Sequence, residues 1–150
     1  MLAVGSYISR SAAETSEIAI KTIPTILSTK IVTFYGDLGA GKTLMCQAII
    51  GNLCKDENLI VTSPTFNIVK IYHTPFGELR HYDLYRIKHF GELEEIGLID
   101  TLQKSSCICL IEWPQIAEQI IPESCLKIEI AYINDDGRKI SITKDSDKRY

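Results

Sequence analysis

The sequence lacks any apolar run close to the roughly 18 residues that a membrane-spanning helix requires, and it has no basic stretch followed by an apolar one near its start. These two absences argue against a protein that spans a membrane and against one that is exported. We therefore expect a cytoplasmic protein that has no membrane partner.

The five cysteines show no pattern typical of a disulfide framework or a zinc site. Their number is odd, and no C-x-x-C occurs. Cys107 and Cys109 stand two residues apart in an apolar run, so they would point from the same face of a strand. The pattern favours buried thiols in a reducing compartment over disulfides or bound zinc. The three histidines likewise show no metal-ligand spacing.

The chain also has no large excess of either charge. Its formal net charge is −3 over 150 residues, which argues against a domain whose main task is to bind nucleic acid through charge. A chain of this length fits a single domain spanning residues 1–150. Such a domain buries about 68–70% of the surface that its unfolded chain exposes, which is enough for a real core.

The segment Gly36–Thr43, GDLGAGKT, matches the phosphate-binding P-loop pattern G-x-x-x-x-G-K-[ST]. Its context supports the match, because Ile31–Tyr35 before it is typical of a buried strand and Leu44–Leu53 after it is typical of a helix. The alternative is an ordinary glycine-rich turn with a solvated lysine. The order of strand, loop and helix favours a nucleotide site.

The residue types of this segment fit phosphate binding. Glycines allow a tight backbone whose N–H groups face phosphate oxygens, and the start of the following helix adds partial positive charge. Lys42 would contact the β- and γ-phosphates, and the Thr43 hydroxyl would be a ligand of Mg²⁺. The predicted nucleotide-binding residues here are Gly36, Asp37, Leu38, Gly39, Ala40, Gly41, Lys42, Thr43 and Leu44.

Two carboxylates are candidates for the chemistry around the metal and the attacking water. Glu112 ends the apolar run Cys107–Ile111, so we predict that it lies on the metal side, at the end of a buried parallel strand beside the P-loop. The alternative for Glu112 is a carboxylate merely exposed at a strand end. Asp83 would position a water or join the metal shell, unless it is paired with Arg80 or Arg86.

The segment Ser63-Pro64-Thr65 lies in a loop well after the predicted P-loop helix. In nucleotide switches such a loop offers a hydroxyl to Mg²⁺ or to the γ-phosphate. Thr65 is therefore a candidate catalytic residue. A proline turn with a capping threonine is equally compatible with the composition.

The whole pattern predicts a P-loop NTPase-like α/β fold of three layers, with parallel strands at the centre and antiparallel hairpins at the edges. Pro24 is expected to interrupt or end the first helix, and Gly97 to weaken the amphipathic helix Glu92–Gln103. The other expected elements are an edge strand at Leu2–Ile8, a capping box at Ser11–Glu14, a hairpin within Ile60–Tyr85, a short helix from Pro114, a hairpin of Leu126–Ile133 and Lys139–Thr143, and a frayed tail at Lys144–Tyr150.

Five segments together resemble one family. They are GDLGAGKT at Gly36–Thr43, SPTF at Ser63–Phe66, HYDLYR at His81–Arg86, EEIGL at Glu94–Leu98 and IEWPQ at Ile111–Gln115. In this order they resemble the TsaE (YjeE) family of small bacterial P-loop ATPases, which help to make N6-threonylcarbamoyladenosine in tRNA. The resemblance covers most of the chain, from about Ser11 to the final hairpin.

The resemblance implies specific roles for residues of this chain. Gly36–Thr43 would bind ATP, Thr43 and Glu112 would hold Mg²⁺, Asp83 would be important for hydrolysis, and Trp113 would lie beside the site. Members of the family also hold the adenine with the segment before the first helix and with the C-terminal hairpin. The corresponding residues here are Ser11, Ala12, Gly137 and Arg138.

The implied function is that of an Mg²⁺-dependent ATPase that assists a tRNA-modifying complex of TsaD- and TsaB-type proteins and meets tRNA only indirectly. Two alternatives remain open. One is a small-molecule P-loop kinase, which needs a lid and several arginines, whereas the arginines of this chain are scattered. The other is a binding module in which the exchange of ATP for ADP controls docking and turnover matters little.

Overall fold

A computed structural model describes residues 4–104 and 106–144 and contains one mixed sheet of seven strands. The strands are β1 (Gly5–Ser9), β2 (Ile31–Tyr35), β3 (Val69–Thr74), β4 (Gly77–Asp83), β5 (Ile108–Glu112), β6 (Leu126–Tyr132) and β7 (Arg138–Lys144). The helices are α1 (Ala12–Lys21), α2 (Ile23–Thr29), α3 (Lys42–Cys54), α4 (Glu92–Glu95) and α5 (Leu98–Gln103), and a 3₁₀ turn covers Pro114–Ala117.

The strand order is β1-β7-β6-β2-β5-β4-β3. The central strand β2, which leads into the P-loop, pairs in parallel with β5 on one side and with β6 on the other, and β4 pairs in parallel with β5. At the two edges, β3 pairs with β4 and the β7–β1 pair joins β6, all in antiparallel fashion. The predicted arrangement of parallel central strands and antiparallel edge hairpins is therefore confirmed.

Two apolar cores cover the two faces of the sheet and give the expected three layers. The larger core packs α1, α2 and α3 against one face, to which β4 and β5 contribute Leu79 and Leu110. The smaller core packs α4, α5 and the 3₁₀ turn against the other face, to which the same strands contribute Tyr82 and Ile111. Successive side chains of these strands thus alternate between the two cores.

A side-chain cap starts α1, and a proline lies just after the break between α1 and α2. The Ser11 hydroxyl accepts from the Glu14 amide at 3.1 Å, and the Glu14 carboxylate accepts from the Arg10 amide at 2.7 Å, one residue earlier than in a standard capping box. α1 then ends at Lys21, and Pro24 lies in the first turn of α2, where its missing N–H costs no hydrogen bond. The expected interruption near Pro24 is confirmed.

The predicted helix Glu92–Gln103 is divided into two short helices, α4 and α5. Gly97 lies between them with a φ of 74°, a left-handed conformation that ends one helix before the next begins. The hydroxyl of Thr101 then donates to the Gly97 carbonyl at 2.8 Å and stabilises the start of α5. Gly97 therefore interrupts the helix, where the sequence predicted only a weakening.

Other boundaries differ slightly from the prediction. α3 begins at Lys42 rather than Leu44, and β7 extends over Arg138–Lys144. The predicted frayed tail falls at residues 145–150, outside the described residues, apart from Lys144. All five cysteines are free thiols; Cys46, Cys107 and Cys109 are buried as expected, whereas Cys54 and Cys125 are only partly buried. In the two described ranges, no helix is long and apolar enough to cross a membrane.

Candidate functional site

The loop between β2 and α3 forms one wall of a cavity of about 350 Å³. The opposite wall comes from the ends of β4 and β5 and from the loop that holds Ser63 and Thr65. The cavity thus lies at the carboxyl ends of parallel strands, where open α/β sheets bind ligands. The predicted site residues that line it are Leu38, Gly39, Gly41, Lys42, Thr43, Leu44, Thr65, Asp83, Glu112 and Trp113.

Lys42, the first residue of α3, provides positive charge in this cavity. Its Nζ donates to the Asp37 carbonyl at 2.8 Å and to the Gly36 carbonyl, and it lies 4.1 Å from the centroid of the Trp113 ring. Burial lowers the pKa of Lys42, although the Glu112 carboxylate opposes that shift. Within the described residues Lys42 forms no ion pair, so its charge is available to an anion in the cavity.

A chain of hydrogen bonds runs from α3 to the ends of the central strands. The Thr43 hydroxyl donates to Oε1 of Glu112 at 2.8 Å, and Oε2 of Glu112 lies 2.7 Å from Nε2 of His81. Glu112 and His81 are both buried, so each carboxylate oxygen has a partner away from solvent. The structure therefore brings the two predicted metal ligands, Thr43 and Glu112, into direct contact.

His81 is the site residue that the sequence reasoning missed. It lies on β4 two residues before Asp83, so both side chains leave the same face of the strand. Its contact with Glu112 joins residues 31 apart in sequence and depends on the pairing of β4 with β5. Two signals were available: the spacing of His81 and Asp83 on one strand face, and the position of His81 at the start of the HYDLYR segment.

Asp83 ends β4 directly beside Glu112 at the end of β5. Its carboxylate accepts from the Tyr85 amide at 3.0 Å and from the Thr65 hydroxyl at 3.4 Å, and that hydroxyl lies 2.6 Å from the Ser63 hydroxyl. Burial above all, and then the neighbouring Glu112, raise the pKa of Asp83, while its hydrogen bonds oppose the shift. The loop that carries Thr65 is thus tied to the carboxylate at the cavity wall.

Asp83 does not form the arginine ion pair that was the alternative interpretation. Arg80 instead pairs with Glu78 at 2.5 Å. Arg86 lies over the Phe66 ring, 4.4 Å from its centroid. Asp83 is therefore a buried carboxylate held by uncharged donors, a setting more typical of functional acids than of surface ion pairs.

A thiol also lies close to the Glu112 carboxylate. Ligand atoms of Cys46, His81 and Glu112 lie within 4.8 Å of one another, and all three residues are buried. Burial raises the pKa of the Cys46 thiol well above its usual value, and a hard cation such as Mg²⁺ prefers oxygen ligands to sulfur. The oxygen atoms of Thr43 and Glu112, which line the cavity, form the better position for a cation such as Mg²⁺.

Trp113 follows Glu112 directly and has a φ of 53°, which is uncommon for so bulky a side chain. Its ring lies 4.9 Å from the Tyr85 ring, centroid to centroid, and covers the ammonium of Lys42. Sparsely populated backbone conformations of this kind concentrate at functional sites. Trp113 thereby forms an aromatic wall beside the positive charge of the cavity.

A second cavity, of about 270 Å³, lies beside the P-loop. It is lined by Ser11, Ala12 and Arg138, which are three of the four residues predicted to contact adenine. The fourth, Gly137, lies outside this cavity, and its amide donates to the Asn134 side chain at 2.6 Å. The P-loop and α3 residues that line the second cavity are Gly39, Ala40, Gly41 and Leu44, of which all except Ala40 also line the first.

A family model described as threonylcarbamoyl adenosine biosynthesis protein TsaE matches residues 9–140. The chain belongs to the TsaE family. The matched range contains every residue that lines the first cavity, so the TsaE assignment rests on the site as well as on the fold. The resemblance noted from the five sequence segments is confirmed.

Individual TsaE proteins match most of the chain. The tRNA threonylcarbamoyladenosine biosynthesis protein TsaE of Rickettsia bellii is 38% identical over 132 residues, which are 88% of this chain and 90% of that protein. The protein of the same name from Bacillus subtilis is 37% identical over 130 residues, 87% of this chain and 79% of that one. The crystal structure of Bacillus subtilis YdiB superposes with a TM-score of 0.68 and 26% identity, and covers 99% of this chain and 90% of its own.

Proposed function

We propose that this TsaE-family chain binds ATP and Mg²⁺, hydrolyses ATP, and thereby assists the formation of threonylcarbamoyladenosine in tRNA in the cytoplasm. The main support is the 2.8 Å contact between the Thr43 hydroxyl and the Glu112 carboxylate. It lies at the base of a P-loop whose Lys42 has no ion-pair partner among the described residues. A hydroxyl, a carboxylate and an ammonium without an ion-pair partner around one cavity are the groups that MgATP requires.

Different residues of the first cavity would bind the phosphates and the metal ion. The P-loop amides and Lys42 would bind the phosphates, and Thr43 and Glu112 would hold Mg²⁺ through the oxygen ligands that it prefers. Mg²⁺ would neutralise negative charge on the phosphates. His81 would hold one oxygen of Glu112 and leave the other directed toward Thr43.

Asp83 would position the attacking water. Burial raises its pKa, and a carboxylate with a raised pKa accepts a proton more readily than a surface carboxylate does. Its contact with Thr65 would connect the water position to the Ser63–Phe66 loop, which would respond to a γ-phosphate. The base would lie in the second cavity, beside Ser11 and Ala12.

The partner would be a protein complex of the TsaD and TsaB type that holds the tRNA. A formal net charge of −3 gives this chain little attraction for tRNA phosphates. An apolar contact group is present instead, because Phe66, next to Thr65, is 81% exposed. The Ser63–Phe66 loop carries an exposed aromatic side chain and would respond to nucleotide, so it would form a docking surface for a protein.

A reconstituted tRNA-modification assay tests the proposal. We expect Mg²⁺-dependent release of phosphate from ATP, faster release when the partner complex is added, and tRNA modification that depends on this protein. Stoichiometric transfer of phosphate to a nucleoside monophosphate, without release to water, would instead identify a kinase.

A direct titration with unmodified tRNA tests the indirect role in RNA recognition. At near-physiological salt we expect the isolated protein to bind tRNA weakly and without specificity. Submicromolar affinity without partner proteins would mean that the chain recognises the RNA itself, and the accessory role would be wrong.

A nucleotide-gated binding module is the second candidate, and the exposed Phe66 beside Thr65 favours it. In that case occupancy by ATP, rather than turnover, would control docking. The measurement is partner affinity and tRNA modification in the same preparation with a non-hydrolysable ATP analogue. Full modification with the analogue would select the module over the obligatory ATPase.

A further inference from the structure

The β6–β7 hairpin contacts the P-loop from outside through its last residue pair. Tyr132 and Arg138 are paired across the hairpin, and the guanidinium carbon of Arg138 lies 4.2 Å from the centroid of the Tyr132 ring. The Tyr132 hydroxyl donates to the Leu38 carbonyl at 3.1 Å, and Nε of Arg138 donates to the Ala40 carbonyl at 3.0 Å. One hairpin therefore holds two carbonyls of the phosphate-binding loop.

These two carbonyls determine the direction of two amides. In a trans peptide unit, the C=O of one residue and the N–H of the next point in opposite directions. Because the Leu38 carbonyl is turned toward Tyr132, the Gly39 amide is directed away from the hairpin, and the Ala40 carbonyl has the same effect on the Gly41 amide. Gly39 and Gly41 line both cavities, so the hairpin orients donors that a phosphate chain needs.

The close approach of β6 explains two glycines of the P-loop independently of phosphate. A Cβ on Gly36 would lie 2.5 Å from the Ile130 carbonyl oxygen. A Cβ on Gly39, whose φ is 77°, would lie 2.9 Å from the Tyr132 hydroxyl. The loop fits against the strand only without side chains at these positions, so the two elements are packed as one unit.

Arg138 has most of its donors engaged by backbone carbonyls. In addition to the bond from Nε to Ala40, its Nη1 donates to the carbonyls of Asn134, Asp135 and Gly137 at 2.9–3.1 Å. These bonds hold the turn between β6 and β7 and connect that turn to the P-loop. Nε and Nη1 are thus used to shape the backbone, whereas Nη2 makes no hydrogen bond among the described residues, and Arg138 also lines the second cavity.

We propose that Tyr132 and Arg138 are positioning residues that orient the P-loop amides toward phosphate, and that Arg138 does not recognise the base. This inference rests on the proposed function, because it concerns phosphate binding at the P-loop. It replaces the adenine contact that the family resemblance implies for Arg138. If both residues act by positioning, replacing either one should weaken the affinity for a phosphate chain by the same factor whether or not the chain carries a nucleoside.

Calorimetric titration with two ligands tests this role in the full chain: a non-hydrolysable ATP analogue and inorganic tripolyphosphate, each with Mg²⁺. Tyr132→Phe and Arg138→Met should each weaken binding of both ligands by a similar factor, about five-fold, the usual effect of losing one hydrogen bond. Tyr35→Phe, which removes a hydroxyl bonded to Glu118, should bind like the wild type. So should Lys139→Met, which removes the neighbouring exposed charge.

The outcomes separate this inference from the proposed function. Unchanged binding of both ligands by the Tyr132 and Arg138 variants would overturn the inference. A loss confined to the ATP analogue would overturn it too, because Arg138 would then act on the nucleoside, and so would an equal loss in Lys139→Met. A wild-type protein that binds neither ligand would contradict the proposed function together with this inference.

A measurement without ligand addresses the loop directly. The NMR backbone order parameter of Gly39 should fall most in Tyr132→Phe, and that of Gly41 most in Arg138→Met. Unchanged order parameters at both glycines would contradict the positioning role. Thermal unfolding verifies that each variant is folded, and Tyr132→Phe, which removes a single oxygen, decides the question if Arg138→Met is not.

Discussion

The two faces of the sheet use adjacent residues of the same strands for opposite purposes. On β4 and β5, Tyr82 and Ile111 enter the core beneath α4 and α5, whereas His81, Asp83 and Glu112 leave the strands on the α3 side. All five side chains are buried. At the ends of β4 and β5, burial on the α4–α5 side (the apolar face) stabilises the fold. On the α3 side (the polar face), burial at these strand ends holds polar groups away from water, beside the larger apolar core on the same side of the sheet.

The two sets of side chains therefore contribute differently to the free energy of unfolding. Burying a large apolar side chain contributes about 1.5–3 kcal/mol, while burying a polar group is unfavourable unless it is hydrogen-bonded. The bonds among Thr43, Glu112 and His81 offset part of that cost, because Nδ1 of His81 is buried without a hydrogen-bond partner among the described residues, and Asp83 keeps a pKa raised by burial. The polar groups are confined to the ends of the strands, next to the start of α3.

The largest expected effect is on the polar face. If the proposed function is correct, Lys42→Ala should lower kcat for ATP hydrolysis by about 10²–10³, because it removes the charge that would stabilise the transferring phosphoryl group. The melting temperature should stay close to that of the wild type, since Lys42 contacts loop carbonyls and not the core. Lys21→Ala, at an exposed site on α1, is the control. Normal ATP hydrolysis by Lys42→Ala would contradict the assignment of the nucleotide site to this loop.

The next effect separates the two acids of the polar face. Glu112→Gln should raise the Mg²⁺ concentration at half-maximal activity by about 10–100-fold, since it removes a charge at the metal position. Asp83→Asn should lower kcat and leave nucleotide binding nearly intact. Steady-state hydrolysis across a Mg²⁺ titration measures both. If the two variants require the same Mg²⁺ concentration for half-maximal activity, the division of roles between Glu112 and Asp83 is wrong.

The neighbour of Glu112 on the apolar face should behave in the opposite way. Ile111→Val removes one buried methylene and should cost about 0.5–1.5 kcal/mol in the free energy of unfolding. Its Mg²⁺ titration should match that of the wild type. Urea denaturation gives the stability change. A shifted Mg²⁺ dependence in Ile111→Val would show that the two faces are not independent.

The smallest expected effect is a higher melting temperature when the buried carboxylate of Asp83 is replaced by an amide. Burial raises the pKa of Asp83 above its unfolded value, so the native state binds this proton more tightly than the unfolded state does. Ionisation of Asp83 therefore destabilises the native state above its native pKa, and this penalty disappears below the unfolded pKa. Asp83→Asn should raise the melting temperature at pH 7, with a gain that shrinks toward pH 4. A gain that is constant over this range would exclude ionisation as its cause.

Contiguous patterns explain why much of the fold was predictable. A pattern of ten residues or fewer predicts each of three elements, and all three lie where they were predicted. They are the strand Ile31–Tyr35, the P-loop and the apolar strand that ends at Glu112. The break at Gly97 was less predictable, because a glycine in an amphipathic pattern weakens or interrupts a helix according to its tertiary contacts.

Long-range contacts explain what was missed in the site. The bond between His81 and Glu112 depends on the pairing of two strands, and the bond between Tyr132 and Leu38 joins residues 94 apart in sequence. No local pattern marks either contact. The roles predicted for Lys42 and Thr43 come from a contiguous motif, and nucleotide binding by the Lys42 variant tests them.

Trp113 has an experimental consequence of its own. It is the only tryptophan in the chain, and its indole lies against the Lys42 ammonium and the Tyr85 ring. Indole emission responds to nearby charge and to exposure, so the tryptophan fluorescence of the protein originates beside the first cavity. Any anion that draws Lys42 away from this ring will change the emission. The protein therefore carries an unlabelled optical reporter for titrating its own site.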